Sequence, residues 1–150
     1  MNQETLLHLV RQSLWANRQW VEFVYDQPDD EPRPRELLGH IMAGERVWFE
    51  RIEGPERTGV SFPVLSKEVL LRGFDENADT YRRFIGNRLA DDIHFTRASG
   101  ESSHATVFEI IQHLLTHGYH HRGQLAAHYA RRGVEYPNTD HINYLIQNRL

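Results

Sequence analysis

The chain of 150 residues contains no cysteine. This absence excludes disulfide bonds, zinc sites built from thiolates and a cysteine nucleophile belonging to the protein itself. Long apolar runs are also missing, since none approaches the roughly 20 residues that a membrane span requires. The N-terminal residues lack the basic start, apolar stretch and cleavage site of a signal peptide. We therefore expect a cytoplasmic protein without a membrane partner, in which any thiol chemistry uses a thiol from outside the chain.

Lysine is almost absent, because Lys67 is the single lysine beside 16 arginines, and the net charge is −4. The arginines are spread among acidic residues without forming a basic block, and no series of stacking aromatic residues accompanies them. We therefore expect no nucleic-acid partner. The composition, with 39% hydrophobic and 25% charged residues, is typical of a globular protein, and the length predicts one domain over residues 1–150.

Four segments place apolar residues at spacings of three and four, which is typical of amphipathic helices. The predicted helices run from Thr5 to about Gln27, from about Arg35 to Glu53, from an N-cap at Ser66 to about Leu89, and from about Val107 to Arg132. The prolines of "QPDDEPRPR" end the first helix, and "GPERTG" ends the second.

The segment before the last long helix differs, because "IHFTRAS" alternates in polarity near a glycine. It predicts a short hairpin or an extended crossover. Thr106 and Glu109 form a capping-box pattern that opens the last long helix, and a short terminal helix follows, capped by Asn138 or Asp140. The predicted fold is all-α, an up-down-type four-helix bundle with this hairpin or crossover and a short C-terminal helix.

The stretch "HLLTHGYHHRGQLAAH", residues 113–128, holds five of the ten histidines. On a helical wheel with about 100° per residue, His121 lies within the core-facing apolar stripe and His117 lies at its edge. Two histidines at positions i and i+4 can hold one metal ion between them. His113 and His117 share that spacing but point less directly into the bundle. Since such pairs also arise by chance, a metal site requires a third ligand.

The best source of this ligand is His40, which lies at the edge of the apolar stripe of the second helix. From its spacing alone, a hydrogen-bonded core histidine is the favoured alternative interpretation. Three neutral imidazoles around a divalent ion would leave one coordination position open, as in catalytic sites. Glu45 could accept a proton or support a ligand, although pairing with Arg122 explains it equally well. Gln124 could orient a metal-bound water or a substrate.

Two motifs, "HLLTHGYHHRGQ" and "GHIMAGERVWFERI", resemble the signature motifs of the DinB-like (DinB/YfiT) superfamily, and "PNTDHINYLI" resembles its C-terminal segment. The resemblance covers nearly the whole chain. It implies a four-helix bundle that binds one divalent metal ion, such as zinc, nickel or another first-row metal, through His40, His117 and His121. It also implies a homodimer.

Superfamily members of known activity use a metal-activated low-molecular-weight thiol, as S-transferases or as a thiol-dependent isomerase. The expected function is therefore a metal-dependent transfer of a small thiol to an electrophile. Two alternatives stay open at this point. One is a metal-dependent hydrolase that uses water in place of the thiol, and the other is a non-catalytic metal-binding protein associated with stress.

Overall fold

The computed structural model describes residues 2–54, 59 and 61–148. The elements in chain order are α1 (Gln3–Asp26), α2 (Pro32–Glu53), α3 (Lys67–Asn87), β1 (Asp92–Thr96), β2 (Ser102–Thr106), α4 (Val107–Arg131) and α5 (His141–Asn148). Helices account for most of the described chain, and β1 and β2 form its two-stranded sheet. This confirms the predicted all-α class. Within the described ranges, no helix is both long and apolar enough to cross a membrane.

Both α1 and α2 begin earlier than predicted, and the residues before them explain why. The side chain of Asn2 accepts a hydrogen bond of 2.8 Å from the backbone N–H of Thr5, so it caps α1 and the helix starts at Gln3. Helix α2 starts at Pro32, ahead of the predicted Arg35. Proline is tolerated in the first turn of a helix because its missing N–H would have no intrahelical partner there. The proline-rich segment therefore both ends α1 and opens α2.

The ends of the other helices agree closely with the sequence patterns. Ser66 caps α3, and the capping box of Thr106 and Glu109 at the start of α4 is complete. Gly133, just beyond α4, has a φ of +67°, a conformation that favours glycine after a helix. Helix α2 ends at Glu53 as predicted, but residues 55–58 of the predicted turn lie outside the described residues.

The segment before α4 is a hairpin, so the extended-crossover alternative is wrong. Strands β1 and β2 pair antiparallel, with Asp92 opposite Thr106 and Thr96 opposite Ser102. Gly100 has a φ of +84° in the connecting turn, where a residue with a Cβ atom would be strained. Since Thr106 is both the last residue of β2 and the N-cap of α4, the hairpin leads directly into the helix that carries five of the ten histidines.

The four long helices all contact one another, most extensively α1 with α3 and α2 with α4. Their apolar faces form two separate clusters, one around Phe84 and Ile110 and the other around Trp20 and Leu37. Buried polar side chains lie between these clusters along the helices. We call this set the polar layer; it comprises Gln12, Ser13, Asn17, Glu45, Asn77 and Arg122. Helices α2 and α4 also bury His40 and His121.

Candidate metal centre

Three histidines from two helices converge between α2 and α4. Each of His40, His117 and His121 offers a ring nitrogen, and these nitrogens all lie within 4.8 Å of one another. His40 and His121 are buried, with 8% and 7% of their surface exposed, whereas His117 is half-buried. The contact between α2 and α4 therefore brings together the three residues that were predicted from the helical wheel and from the family resemblance.

The loop before α3 fixes the orientation of His40. The backbone carbonyl of Ser61 lies 3.0 Å from His40 Nδ1, and because a carbonyl can only accept, Nδ1 carries the proton. Nε2 is therefore the His40 nitrogen that is left to coordinate a metal ion. The ring of Phe62 stacks on the His40 ring, with 3.8 Å between centroids and 2° between planes. Both contacts belong to one short segment, so the position of this loop determines the direction of the His40 lone pair.

Gly39 allows this loop to approach α2 closely. A Cβ atom at position 39 would lie 1.9 Å from the backbone carbonyl oxygen of Pro63, a distance that no side chain can occupy. Only glycine at position 39 therefore allows the loop to pack this closely against the helix. The sequence analysis missed Gly39, Ser61 and Phe62, because neither a helical period nor a ligand spacing marks them.

Gln124 fixes the orientation of His121 in a similar way. His121 Nδ1 donates a hydrogen bond of 2.8 Å to Gln124 Oε1, so that His121 Nε2 is the nitrogen directed towards the other two histidines. Gln124 Nε2 in turn lies 3.2 Å from His120 Nε2 and donates to it. The side chain of Gln124 therefore contacts a histidine that was predicted as a ligand, and its carbonyl oxygen supports that ring.

His117 faces His121 directly. The two Nε2 atoms are 3.0 Å apart, so at most one proton fits between them. His117 Nδ1 is buried and has no hydrogen-bond partner among the described residues. Burial lowers the pKa of His117 to about 4, assisted by the neighbouring His121 and His40, and burial also lowers the pKa of His121. Both rings are therefore neutral at pH 7, which is the form that ligates metals.

These nitrogens fit the dimensions of a three-histidine metal site. Zinc–nitrogen bonds of about 2.0–2.1 Å at tetrahedral angles place two ligand nitrogens about 3.4 Å apart. The observed separations, 3.0 Å between His117 and His121 and at most 4.8 Å for the others, are compatible with that value. One divalent ion could thus be held by the three imidazoles, with a further coordination position left for a ligand.

The model of the DinB family matches residues 1–149 of the chain. The chain belongs to the DinB family. Searches of the curated proteins and of the solved structures found no match. The family assignment confirms the resemblance drawn from the histidine motifs, and it covers the helices that carry His40, His117 and His121.

In this DinB-family protein, Glu45 lies in the polar layer and its hydrogen bonds run to α3. Asn77 Nδ2 donates to it at 2.7 Å and the hydroxyl of Tyr81 at 3.1 Å. Burial raises the pKa of Glu45 to about 7, against the opposing effects of Asn77, Tyr81, Arg122 and Arg46. Among the described residues, no histidine shares a hydrogen bond with Glu45. Its contacts are thus those of a buried structural carboxyl group.

Arg122 lies across the same layer and binds α1. Its Nη1 atom donates to Asn17 Oδ1 at 2.7 Å and to Ser13 Oγ at 3.3 Å, whereas Nη2 is buried without a hydrogen-bond partner among the described residues. Arg122 influences the pKa of Glu45 through its charge, without a direct ion pair between them in the described chain. The predicted pairing of these two residues is therefore a longer-range electrostatic interaction and not a direct ion pair.

Proposed function

We propose that this DinB-family protein is a divalent-metal-dependent enzyme that activates a low-molecular-weight thiol for transfer to an electrophile. The observation that carries the proposal is the convergence of ring nitrogens from three histidines of α2 and α4 within 4.8 Å of one another. The thiol specificity is supported by the resemblance to DinB-like S-transferases. We further infer an up-down order of the four long helices and, from the same resemblance, a homodimer.

A divalent ion held at this position would lower the pKa of a coordinating thiol and provide a nucleophilic thiolate at neutral pH. The types of metal-ligating side chain at the site support this chemistry. The three-residue group contains no carboxylate among the described residues, so neutral imidazoles would leave the full charge of the ion in place. Ser61 and Gln124 hold the rings of His40 and His121, and the Phe62 ring covers one face of His40.

The roles of Glu45 and Gln124 differ within this proposal. Gln124 acts as a positioning residue, since its amide oxygen accepts from His121 Nδ1. Glu45 keeps its hydrogen bonds to Asn77 and Tyr81 and contributes to the packing of the polar layer. A proton-accepting role for Glu45 stays a prediction, which the activity of Glu45→Gln would test.

Metal content tests the site. We expect elemental analysis to find about one divalent ion per chain in the wild type and little in His121→Ala, because removal of one of three ligands leaves only two donors for the ion. His94→Ala serves as the matched control, since His94 is 80% exposed on the hairpin. Equal metal content in the wild type and His121→Ala would refute the site.

Turnover tests the reaction. Metal-loaded protein is incubated with 1-chloro-2,4-dinitrobenzene as a model electrophile, with and without bacillithiol, mycothiol or glutathione. We expect conjugate formation that requires both the metal and a thiol. Turnover that is independent of any thiol would replace the transferase proposal with the hydrolase alternative. Tight metal binding without turnover of a wide set of electrophiles and esters would favour the non-catalytic alternative.

A further inference from the structure

A groove adjoins the three histidines between the start of α2 and the second half of α4. It has a cavity volume of about 300 Å³. Its lining residues are Arg33, Leu37, Gln124, Ala127, His128 and Arg131. The described lining thus combines two arginines with an apolar floor and includes no carboxylate.

Two side chains of the groove lining connect it to the histidines of the candidate site. Gln124 lines it and accepts the hydrogen bond from His121. On the α2 side, the guanidinium carbon of Arg33 lies 5.4 Å from the centroid of the Phe62 ring, and that ring stacks on His40. A small molecule with one end at the histidines can therefore extend directly into the groove.

The two arginines have little competition from acidic residues of the chain. Arg131 has no carboxylate partner in the described ranges, and the contact between Arg33 and Glu36 is long, at 3.7 Å. Glu31 contacts the lining residue His128 at 3.0 Å and also pairs with Arg132. The groove is therefore left with two cations available to a ligand.

We propose that this groove binds a carboxylate of the small molecule whose sulfur reaches the histidines. The inference rests on the proposed function, and it narrows the substrate class to anionic thiols. Arginine guanidinium groups match a carboxylate in shape and charge, and Leu37 and Ala127 can pack against the connecting carbon atoms. Because half of the Arg33 side chain is exposed, we expect a moderate preference for the anion.

The test compares two thiols that differ only in charge, 6-mercaptohexanoate and its neutral amide, whose alkyl chain can pack against Leu37 and Ala127. Their affinities for the cobalt(II)-loaded protein are measured from the sulfur-to-cobalt charge-transfer absorption. In the wild type we expect the acid to bind about tenfold more tightly than the amide. In Arg131→Gln and Arg33→Gln this ratio falls to about twofold or less, while the affinity for the amide stays unchanged. Arg11→Gln, on the exposed surface of α1, serves as the control and keeps the wild-type ratio.

The outcomes test the carboxylate subsite, which is the groove with its two arginines, separately from the proposed function. Equal affinities for the acid and the amide, with a normal charge-transfer band, would overturn the subsite and leave thiol activation intact. If neither thiol produces the band, the proposed thiol function fails, and the subsite is judged by a second measurement on the metal-free protein. Succinate, which has no thiol, should then shift the NMR signals of the Arg33 and Arg131 Nε–H groups and not that of Arg11. Unshifted signals would overturn the subsite.

Discussion

The three histidines of the candidate site are not held equally. His40 and His121 each donate from Nδ1 to a fixed acceptor, the Ser61 carbonyl and the Gln124 amide oxygen, and so present Nε2 in a defined direction. His117 has no such partner in the described chain. Because hydrogen-bond partners of metal-ligating histidines fix both tautomer and ring orientation, the site depends on Gln124 more than the sequence pattern indicates.

Replacement of Gln124 by leucine should weaken metal binding without removing a ligand. Loss of the acceptor frees the His121 ring, and we expect the affinity for zinc to fall by about 10–100-fold. Competition with a chromophoric chelator measures the effect. Gln112→Leu, at another partly buried position of α4, is the matched control. An unchanged affinity in Gln124→Leu would contradict the positioning role.

Glu45 should make the stability of the fold depend on pH. Its pKa is about 7 in the folded protein against 4.5 for the ordinary carboxyl group, because of burial. Between these values the folded state binds a proton that the unfolded state releases, so the free energy of unfolding falls as pH rises. The titratable groups that influence the pKa of Glu45 are Tyr81 on α3, Arg122 on α4 and Arg46 on its own helix.

Glu45→Gln isolates this contribution, since glutamine can still accept from Asn77 and donate to the Tyr81 hydroxyl. Urea unfolding is measured for both proteins from about pH 5 to pH 8. We expect the free energy of unfolding of the wild type to fall by about 1–3 kcal/mol relative to that of the variant across this range. Above the pKa of Glu45 in the folded protein, this free energy should change little more. A difference that does not vary with pH would show that Glu45 is ionised in the folded protein throughout.

At the scale of elements, the packing of the loop before α3 against helix α2 determines the geometry of the site. The loop contributes the Ser61 carbonyl and the Phe62 ring to His40, and it reaches them because Gly39 has no side chain. Helix and loop therefore act together to orient one ligand. A change in the helix at a position that never touches the metal should disturb the site.

Gly39→Ala should destabilise the protein and weaken metal binding together. The added Cβ atom would overlap the Pro63 carbonyl oxygen, and we expect a loss of about 1–3 kcal/mol in the free energy of unfolding as the loop is displaced. Gly123→Ala is the control, because a Cβ atom there meets nothing within 4 Å and α4 should gain up to about 1 kcal/mol. Wild-type stability and metal affinity in Gly39→Ala would contradict the described packing.

At the scale of the whole molecule, the candidate site connects α2 with α4, a helix pair in extensive contact. The two apolar clusters lie on either side of the polar layer, so the middle of the molecule depends on polar contacts more than its ends do. An ion bound there would connect two helices across this region. Binding to the folded state alone stabilises it through mass action.

Zinc should therefore raise the melting temperature of the wild type. At a free concentration of about 100 times Kd the stabilisation is about 2.7 kcal/mol, which for a domain of this size corresponds to roughly 5–11 °C. Calorimetry of His40→Ala should show little of this shift, whereas His94→Ala should show all of it. A full shift in His40→Ala would mean that the stabilising ion binds elsewhere.

The sequence by itself determined the helices, the capping of α3 and α4, and the placement of His117 and His121 on one helix face. Such features depend on residues close together in the chain, which backbone geometry alone relates to one another. The helical period of the second helix indicated His40 as the third ligand, and the family motifs supported it. Only the tertiary structure decided that the linking segment is a hairpin, that Glu45 faces Asn77 and Tyr81, and that Ser61, Phe62 and Gly39 orient His40. These contacts join different elements, and the packing of side chains, which no local period encodes, brings them together.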